Sequence, residues 1–296
     1  MMQQEPRDRR EKEGEVMTAS GRRVRIAVGQ YMPVARDVAA NGRRTLSLLA
    51  EAAEQGADWL VLPELFLSGY QLEDVGELAR DTASPLIRSL IERAGTLGIG
   101  VQVGFAEAAG PAVYDSTLTV TAAGESSIYR KTHLFGREPE AYGRGMELPV
   151  IAAGETVVAP LICYDLEFPE PARLVAGRGA QIILVSTANM APYDEQQVLY
   201  ARTRALENRA FVAVANRVGV ESGYDFCGTS LVTDPFGRVI VQANDRNEVM
   251  LIADCDLDLI AEARGHGDYL ADRRTDLCPV MGPGEVGTPD TVMSRR

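Results

Sequence analysis

The chain has 296 residues, 46% of them apolar and 24% charged, which is typical of a globular protein with one large domain or two small ones. Its net charge of −12 argues against binding to nucleic acids or anionic membrane surfaces, because no basic stripe is present to neutralise phosphates. Its four cysteines form no Cys-x-x-Cys pair, so we expect no zinc site, redox dithiol or disulfide scaffold.

The amino-terminal segment is highly charged and has no apolar stretch of the kind found in secretory signals. We expect residues 1–22 to be a disordered extension, in which Met17 is an alternative candidate for the start. No apolar run approaches the roughly 20 residues that cross a bilayer. The expected location is therefore the cytoplasm, where the thiols stay reduced.

Strands and helices alternate along the first half of the chain. Residues 24–28 alternate between apolar and polar in the manner of a strand, and residues 36–55 form a predicted helix that Gly56 closes. The remaining predicted elements here are a strand at 59–62, a helix at 85–97, a strand at 98–106 and a hairpin of 113–122 with 125–133.

The second half repeats this alternation. The predicted strands are 157–163, 182–186, 211–215 and 249–254, the predicted helices are 169–177, 194–209 and 256–263, and a hairpin joins 230–232 to 238–241. No linker or shift in composition divides the chain, which favours a single α/β domain over residues 23–277. Residues 278–296 are rich in Gly and Pro and are expected to be an extended or disordered tail.

Cys163 ends an apolar predicted strand and precedes a polar turn. A side chain in this position lies at a sheet edge beside backbone N–H groups, which lower a thiol pKa and stabilise an oxyanion. By itself the residue is more typical of a small buried thiol. The other three cysteines lack this context and are interpreted as structural.

A cysteine nucleophile needs a base. The only histidines are His133 and His266, in a strand end and a glycine-flanked loop, so a Cys–His pair has little support. Glu64 directly follows the apolar residues 59–63, where partial desolvation raises a carboxyl pKa and makes it usable as a base. Lys131 follows the strand residues 127–130 in the same way, although alone each charge is typical of a solvated side chain.

Three segments change this balance, because they occur together and in a fixed order. They are Leu-Pro-Glu-Leu-Phe-Leu-Ser-Gly-Tyr at 62–70, Tyr-Arg-Lys-Thr-His-Leu-Phe at 129–135 and Ile-Cys-Tyr-Asp-Leu-Glu-Phe-Pro-Glu at 162–170. Together they closely resemble the signature segments of the nitrilase, or carbon–nitrogen hydrolase, superfamily. The resemblance runs from about residue 25 to residue 276.

The resemblance implies that Glu64 is the catalytic base, Lys131 the catalytic lysine and Cys163 the nucleophile. It also implies a second glutamate that orients the lysine and the substrate, for which Glu138 is the best match and Glu140 the second. The implied reaction passes through a thioester and needs no metal or organic cofactor.

The resemblance further implies a four-layer αββα sandwich and a homodimer or larger homo-oligomer. The helices at 169–178 and 194–209 would contribute to the dimer interface, although their apolar faces are equally compatible with an internal core.

Residues near the nucleophile indicate which branch of the superfamily, and therefore which class of substrate, the chain resembles. Nitrilases typically have Cys-Trp-Glu where this chain has Cys-Tyr-Asp, and carbamoyl hydrolases and ω-amidases commonly have Arg where this chain has Glu167. The segments 186–193 and 204–208 resemble amidases, which favours hydrolysis of small neutral or apolar carboxamides with release of ammonia. The residues expected to contact substrate are Tyr70, Tyr164, Asn189 and Met190.

The sequence is also compatible with other functions. The chain could be an N-carbamoyl amino acid or amine hydrolase, a nitrilase, an acyl transferase or a catalytically silent scaffold protein. The intact Glu64, Lys131 and Cys163 argue against the scaffold, because a binding role alone does not require all three.

Overall fold

The computed structural model describes residues 22–244, 246–274 and 276. The strands are β1 (Arg23–Gln30), β2 (Trp59–Val61), β3 (Gly100–Ala109), β4 (Ala112–Val120), β5 (Ser126–Arg130), β6 (Ile151–Ala153), β7 (Thr156–Ile162), β8 (Ile182–Thr187), β9 (Phe211–Asn216), β10 (Val218–Glu221), β11 (Tyr224–Cys227), β12 (Leu231–Thr233), β13 (Val239–Gln242) and β14 (Val249–Asp256). The helices are α1 (Val38–Glu54), α2 (Val75–Leu78), α3 (Pro85–Leu97), α4 (Glu138–Ala141), α5 (Pro169–Gly177), α6 (Asp194–Asn208) and α7 (Asp258–Gly265).

The strands form two six-stranded sheets of matching design. The first has the order β14-β1-β2-β3-β4-β5 and the second has the order β13-β12-β9-β8-β7-β6. In each sheet three neighbouring strands are parallel, β1 to β3 in one and β7 to β9 in the other, and antiparallel strands flank them. β10 and β11 form a separate hairpin.

The inner faces of the two sheets pack against each other. Ile26 and Val28 of β1 lie in one buried cluster with Leu184 of β8 and Phe211 of β9. Ala27, between them in sequence, points to the other face and belongs to a different cluster, as the two-residue repeat of a strand requires. Burying such side chains stabilises the sandwich by roughly 1.5–3 kcal/mol for each large apolar residue.

Helices cover both outer faces. α1 and α3 lie on the first sheet, where Leu49 and Leu90 are fully buried, and α5 and α6 lie on the second, where Val175 and Ala201 are fully buried. The layers are therefore helices, sheet, sheet and helices. The predicted α/β fold with a four-layer αββα sandwich is confirmed.

The long predicted elements are confirmed, and α3 and α5 have the predicted bounds. Sequence analysis missed the short elements α2, α4, β6 and the β10–β11 hairpin, each of which has three or four residues per element. Apart from Arg22, the predicted extension lies outside the described residues, as do the tail at 278–296 and Cys278. None of the helices in the described part has the length and apolar character needed to cross a membrane.

Candidate active site

The candidate residues follow strands that end at one edge of the sandwich. Glu64 comes after β2, Lys131 directly after β5, Cys163 directly after β7, and Asn189 after β8. The carboxyl ends of parallel strands meet at the same sheet edge, which is where α/β proteins most often place a site. Ser186, near the end of β8, donates a hydrogen bond to the carbonyl of Leu62 at 2.7 Å and so ties this edge of the second sheet to the first.

Lys131 lies at the centre of a buried cluster of charges. Its Nζ donates to Glu64 Oε1 at 2.5 Å and to Glu138 Oε1 at 2.8 Å, and it lies 3.6 Å from Asp115 Oδ2. Burial alone would lower the pKa of Lys131, but Glu138 and Glu64 more than offset this and hold its pKa well above the ordinary value. The side chain is therefore a fixed ammonium in surroundings of low dielectric.

Asp115 is a member of this cluster that sequence analysis did not identify. It lies in β4, its backbone carbonyl accepts from the N–H of Lys131 at 2.8 Å, and its side chain is fully buried. Neither of its carboxylate oxygens has a hydrogen-bond donor among the described residues. Burial, and then the charge of Glu64, raise the pKa of Asp115 well above its ordinary range, which favours the neutral form of this carboxyl.

The three carboxylates of this cluster, Glu64, Asp115 and Glu138, approach one another closely enough to hold a metal ion, with oxygens within 4.8 Å. Lys131 Nζ lies between 2.5 and 3.6 Å from all three of them. The chain itself therefore supplies the cation that this cluster holds.

Glu138 is fixed from three directions. The hydroxyl of Tyr70 donates to its Oε1 at 2.7 Å, and the N–H of Phe135 donates to its Oε2 at 2.8 Å. Together with the bond from Lys131, these contacts leave the carboxylate buried and immobile. Burial raises the pKa of Glu138, while the positive charge of Lys131 opposes that change.

Cys163 begins a 3₁₀ turn at the end of β7, and its φ is +43°. A residue with a β-carbon rarely adopts this left-handed backbone conformation, and such positions are concentrated at functional sites. Burial, and then the charge of Glu64, raise the pKa of the Cys163 thiol well above its ordinary value, although Lys131 and a hydrogen bond with Thr187 oppose the change. At rest the group is a thiol, so nucleophilic attack requires a base to remove its proton.

Asp165 holds the Cys163 turn against the segment that contains Lys131. This buried carboxylate accepts from the N–H of Ile162 at 3.2 Å, the hydroxyls of Tyr129 and Thr132 at 2.7 Å each, and the N–H of His133 at 2.9 Å. Sequence analysis did not identify it, although it lies within the third signature segment two residues after Cys163.

The loop that carries Glu64 packs directly on β3. Gly104 of β3 donates to the carbonyl of Pro63 at 3.2 Å, and its carbonyl accepts from the N–H of Leu67 at 3.1 Å. A β-carbon at Gly104 would lie only 2.4 Å from the backbone nitrogen of Leu65. The absence of a side chain at Gly104 therefore allows the approach that positions Glu64.

A cavity of about 150 Å³ opens onto Cys163. Its walls include Tyr164, Glu167, Asn189, Met190 and Tyr193. Three of the four residues expected to contact substrate thus lie beside the thiol. The fourth, Tyr70, is buried and uses its hydroxyl to bind Glu138, so a direct contact with substrate stays a prediction.

Both histidines contact residues other than the predicted nucleophile. His133 Nδ1 lies 2.9 Å from Asp165 Oδ1, and its ring stacks on Phe168 with centroids 4.1 Å apart. His266 ends α7 and lies edge-on to Phe236, at a centroid distance of 5.8 Å. Glu140, the second choice for the orienting glutamate, forms an exposed ion pair with Arg137.

Comparison with known proteins agrees with this geometry. The family model described as carbon–nitrogen hydrolase matches residues 25–265. A protein of Pseudomonas protegens described as a hydrolase is 39% identical over 260 residues, which are 86% of this chain and 90% of that one. An (R)-stereoselective amidase from a Pseudomonas species is 38% identical over 246 residues, which are 81% of this chain and 88% of that one.

A solved structure has the same fold. It is a variant of the amidase from Nesterenkonia sp. AN1 in complex with butyramide, and it is 30% identical with a TM-score of 0.75. The match covers 86% of this chain and 95% of that one. The chain belongs to the carbon–nitrogen hydrolase, or nitrilase, superfamily and is an amidase-type hydrolase that acts on carbon–nitrogen bonds.

Proposed function

We propose that the chain hydrolyses small carboxamides to a carboxylic acid and ammonia through a thioester on Cys163. The observation that supports this best is the contact of the Lys131 ammonium with both Glu64 and Glu138 beside a thiol whose pKa is raised. A group with a raised pKa gains most from an adjacent base, and a buried ammonium suits a reaction that develops negative charge.

In the first step Glu64 accepts the thiol proton. Its Oε1 is bound to Lys131, whereas its Oε2 has no hydrogen-bond donor among the residues that the structure describes and is free to take the proton. The sulfur of Cys163 then attacks the amide carbon, the S–C bond forms, and the C=O electron pair moves onto oxygen. Cleavage needs no histidine.

The resulting oxyanion is stabilised by the Lys131 ammonium and by the N–H of Tyr164, the residue after the nucleophile. Preorganised donors of this kind contribute roughly 3–4 kcal/mol each to the barrier reduction. Glu64 next donates its proton to the amide nitrogen, the C–N bond breaks, and ammonia leaves the acyl group on Cys163.

Hydrolysis of the thioester reverses these roles. Glu64 takes a proton from water, the hydroxide attacks the acyl carbon, and the proton returns to the sulfur as the acid leaves. The same carboxylate serves both halves of the reaction, which requires that it stay fixed; the contacts of Glu64 with Lys131 and of its loop with Gly104 provide this.

The size of the cavity favours short acyl groups. A volume of about 150 Å³ accommodates an acyl chain of a few carbons and is small for a drug-sized ligand, whose sites measure roughly 300–1,000 Å³. Aliphatic amides of the size of butyramide are therefore the proposed substrates.

A test of this function is ammonia release from matched aliphatic amides, aliphatic nitriles and N-carbamoyl amino acids. We expect release from the amides by the full chain and none by Cys163→Ala, with Cys255→Ala as the control for loss of a thiol away from the cavity. Release from nitriles alone, or from carbamoyl compounds alone, would contradict the proposed substrate class. Release from none of the three would contradict the enzyme assignment in favour of a scaffold.

The proposed assembly is a homodimer. Leu174 of α5 and Leu199 and Leu206 of α6 are 45%, 62% and 40% exposed on the outer helical layer, which supports pairing of this face with a second copy. Light scattering should give twice the chain mass, and Leu199→Glu should reduce it to that of a monomer. A monomeric wild-type protein would contradict this proposal.

A further inference from the structure

Glu167 carries a carboxylate on the wall of the cavity that contains the nucleophile. It lines the cavity of about 150 Å³ and a smaller adjoining one of about 20 Å³, and Cys163 lines both. The side chain is half-buried, and its carboxylate has no hydrogen bond or ion pair with any residue in the described part of the chain. Burial raises the pKa of Glu167, while the charge of Lys131 opposes that change.

The backbone of Glu167 is held firmly, in contrast to its carboxylate. Arg204 Nη2 donates to the carbonyl of Glu167 at 2.6 Å, and its Nε donates to the carbonyl of Leu166 at 2.9 Å. The remaining nitrogen of this guanidinium binds Glu207 at 3.0 Å. Arg204 thus fixes the turn after Cys163 without neutralising the Glu167 side chain.

The rest of the cavity also favours a positive charge. No Lys or Arg is among the residues that line it, and Lys131 is engaged by Glu64 and Glu138. Phe135, Tyr164 and Tyr193 contribute aromatic rings to its walls. The cavity wall therefore offers the Glu167 carboxylate no competing cation from the residues that line it.

We propose that Glu167 makes this site selective for carboxamides whose acyl group carries a protonated amine. The ammonium of such a substrate would pair with the Glu167 carboxylate while the amide carbon lies at Cys163. An acyl group that ends in a carboxylate would meet a like charge there and be rejected. This inference rests on the proposed amidase function and adds the charge of the substrate to it.

A simpler interpretation is that Glu167 only stabilises a helix. It lies two residues before α5, where a negative charge interacts favourably with the helix dipole. Glu170, in the first turn of the same helix, is exposed and has the same relation to the dipole without lining the cavity. The variant Glu170→Gln is therefore a matched control, since it changes the helix electrostatics and leaves the cavity unchanged.

The test compares three amides of nearly equal size. They are 3-aminopropanamide, butanamide and succinamate, which end in an ammonium, a methyl group and a carboxylate. We expect Glu167→Gln to lower the ratio of kcat/KM for 3-aminopropanamide over butanamide by about tenfold or more, and to raise kcat/KM for succinamate. Glu170→Gln should leave the ratio of 3-aminopropanamide over butanamide and the kcat/KM for succinamate as they are in the wild-type chain.

A fall in the ratio of 3-aminopropanamide over butanamide together with a rise in kcat/KM for succinamate distinguishes a role in specificity from a folding defect. A folding defect would lower turnover of all three amides together. Ratios that Glu167→Gln leaves unchanged would overturn the inference. Binding of 3-aminopropanamide and butanamide to Cys163→Ala, measured by calorimetry with and without Glu167→Gln, separates this from the proposed function. If 3-aminopropanamide binds more tightly than butanamide only when Glu167 is present, but the wild type releases no ammonia, the proposed hydrolysis alone is contradicted.

Discussion

The hydroxyl of Tyr129 donates a hydrogen bond to Asp165 Oδ2 at 2.7 Å and joins the strand that ends before Lys131 to the turn that begins at Cys163. The two residues are distant in sequence: Tyr129 belongs to β5 of the first sheet, and Asp165 lies in the turn that follows β7 of the second. Because Thr132 and His133 bind the same carboxylate, Asp165 sets the relative positions of the lysine and the nucleophile.

We expect Asp165→Asn to destabilise the fold by about 3–5 kcal/mol, since it replaces a buried charged acceptor by a neutral group that cannot satisfy all of its donors. Urea unfolding followed by circular dichroism would measure this. Thr132→Val, which removes only one donor, should cost about 0.5–1.5 kcal/mol. Equal stability of Asp165→Asn and the wild type would refute the role given to this carboxylate.

The variant Tyr70→Phe tests whether Tyr70 supports Glu138 or contacts the substrate. In Tyr70→Phe, Glu138 loses the donor at 2.7 Å, and we expect kcat to fall by about fivefold to tenfold, corresponding to a bond worth about 1 kcal/mol or more, with KM little changed. Steady-state ammonia release would measure both constants. A rise in KM at constant kcat would instead support the predicted contact with substrate.

Gly104→Ala should move the loop that carries Glu64. The added β-carbon would lie 2.4 Å from Leu65 N, so the loop must shift, and we expect a stability loss of about 1–3 kcal/mol together with a fall in kcat. Gly177→Ala is the matched control, because a β-carbon there meets no atom within 4 Å and the residue lies at the end of a helix. Unchanged activity in Gly104→Ala would show that the close packing is not needed.

Asp115 should make stability depend on pH. The pKa of Asp115 is raised in the folded state. Its contribution to the free energy of unfolding is therefore fully present below the ordinary aspartate pKa of about 4, and it is lost as the pH rises toward the pKa of the folded state. The groups that face it are Glu64, Lys131, Glu138 and Tyr142. Asp115→Asn carries no titrating group, so its stability relative to the wild type should increase as the pH rises above about 4.

Unfolding free energies measured across this range would test the Asp115 prediction. Asp115→Asn keeps a polar side chain of nearly the same size beside Glu64, and Asp115→Leu does not, so the first should also retain the higher kcat. A constant stability difference between Asp115→Asn and the wild type at all pH values would mean that folding does not raise the pKa of Asp115.

Local sequence patterns predicted most of the fold because each long element carries its own signals. α3 and α5 each begin at a proline, and a glycine lies at or next to the end of each, which fixed their bounds. α4 and β6 have four and three residues, too few for a hydrophobic period to be recognised.

The catalytic candidates in the three signature segments were predictable, whereas Asp165 in the third segment and the residues whose environment depends on long-range packing were not. Asp115 has the sequence context of a surface aspartate in a hairpin, and its burial follows only from the pairing of β4 with β5 and the packing of the two sheets. The unpartnered carboxylate of Glu167 likewise depends on Arg204, which lies 37 residues away and binds the backbone of Glu167 instead of its side chain.

The proposed mechanism depends most on a covalent acyl group at Cys163. The most direct measurement is mass spectrometry of the full chain quenched in acid during turnover of an amide, followed by peptide mapping. We expect one acyl group in place of the thiol hydrogen of Cys163, and neither adduct nor ammonia from Cys163→Ala. Undiminished ammonia release by Cys163→Ala, or an acyl group mapped to another residue, would contradict the proposed mechanism.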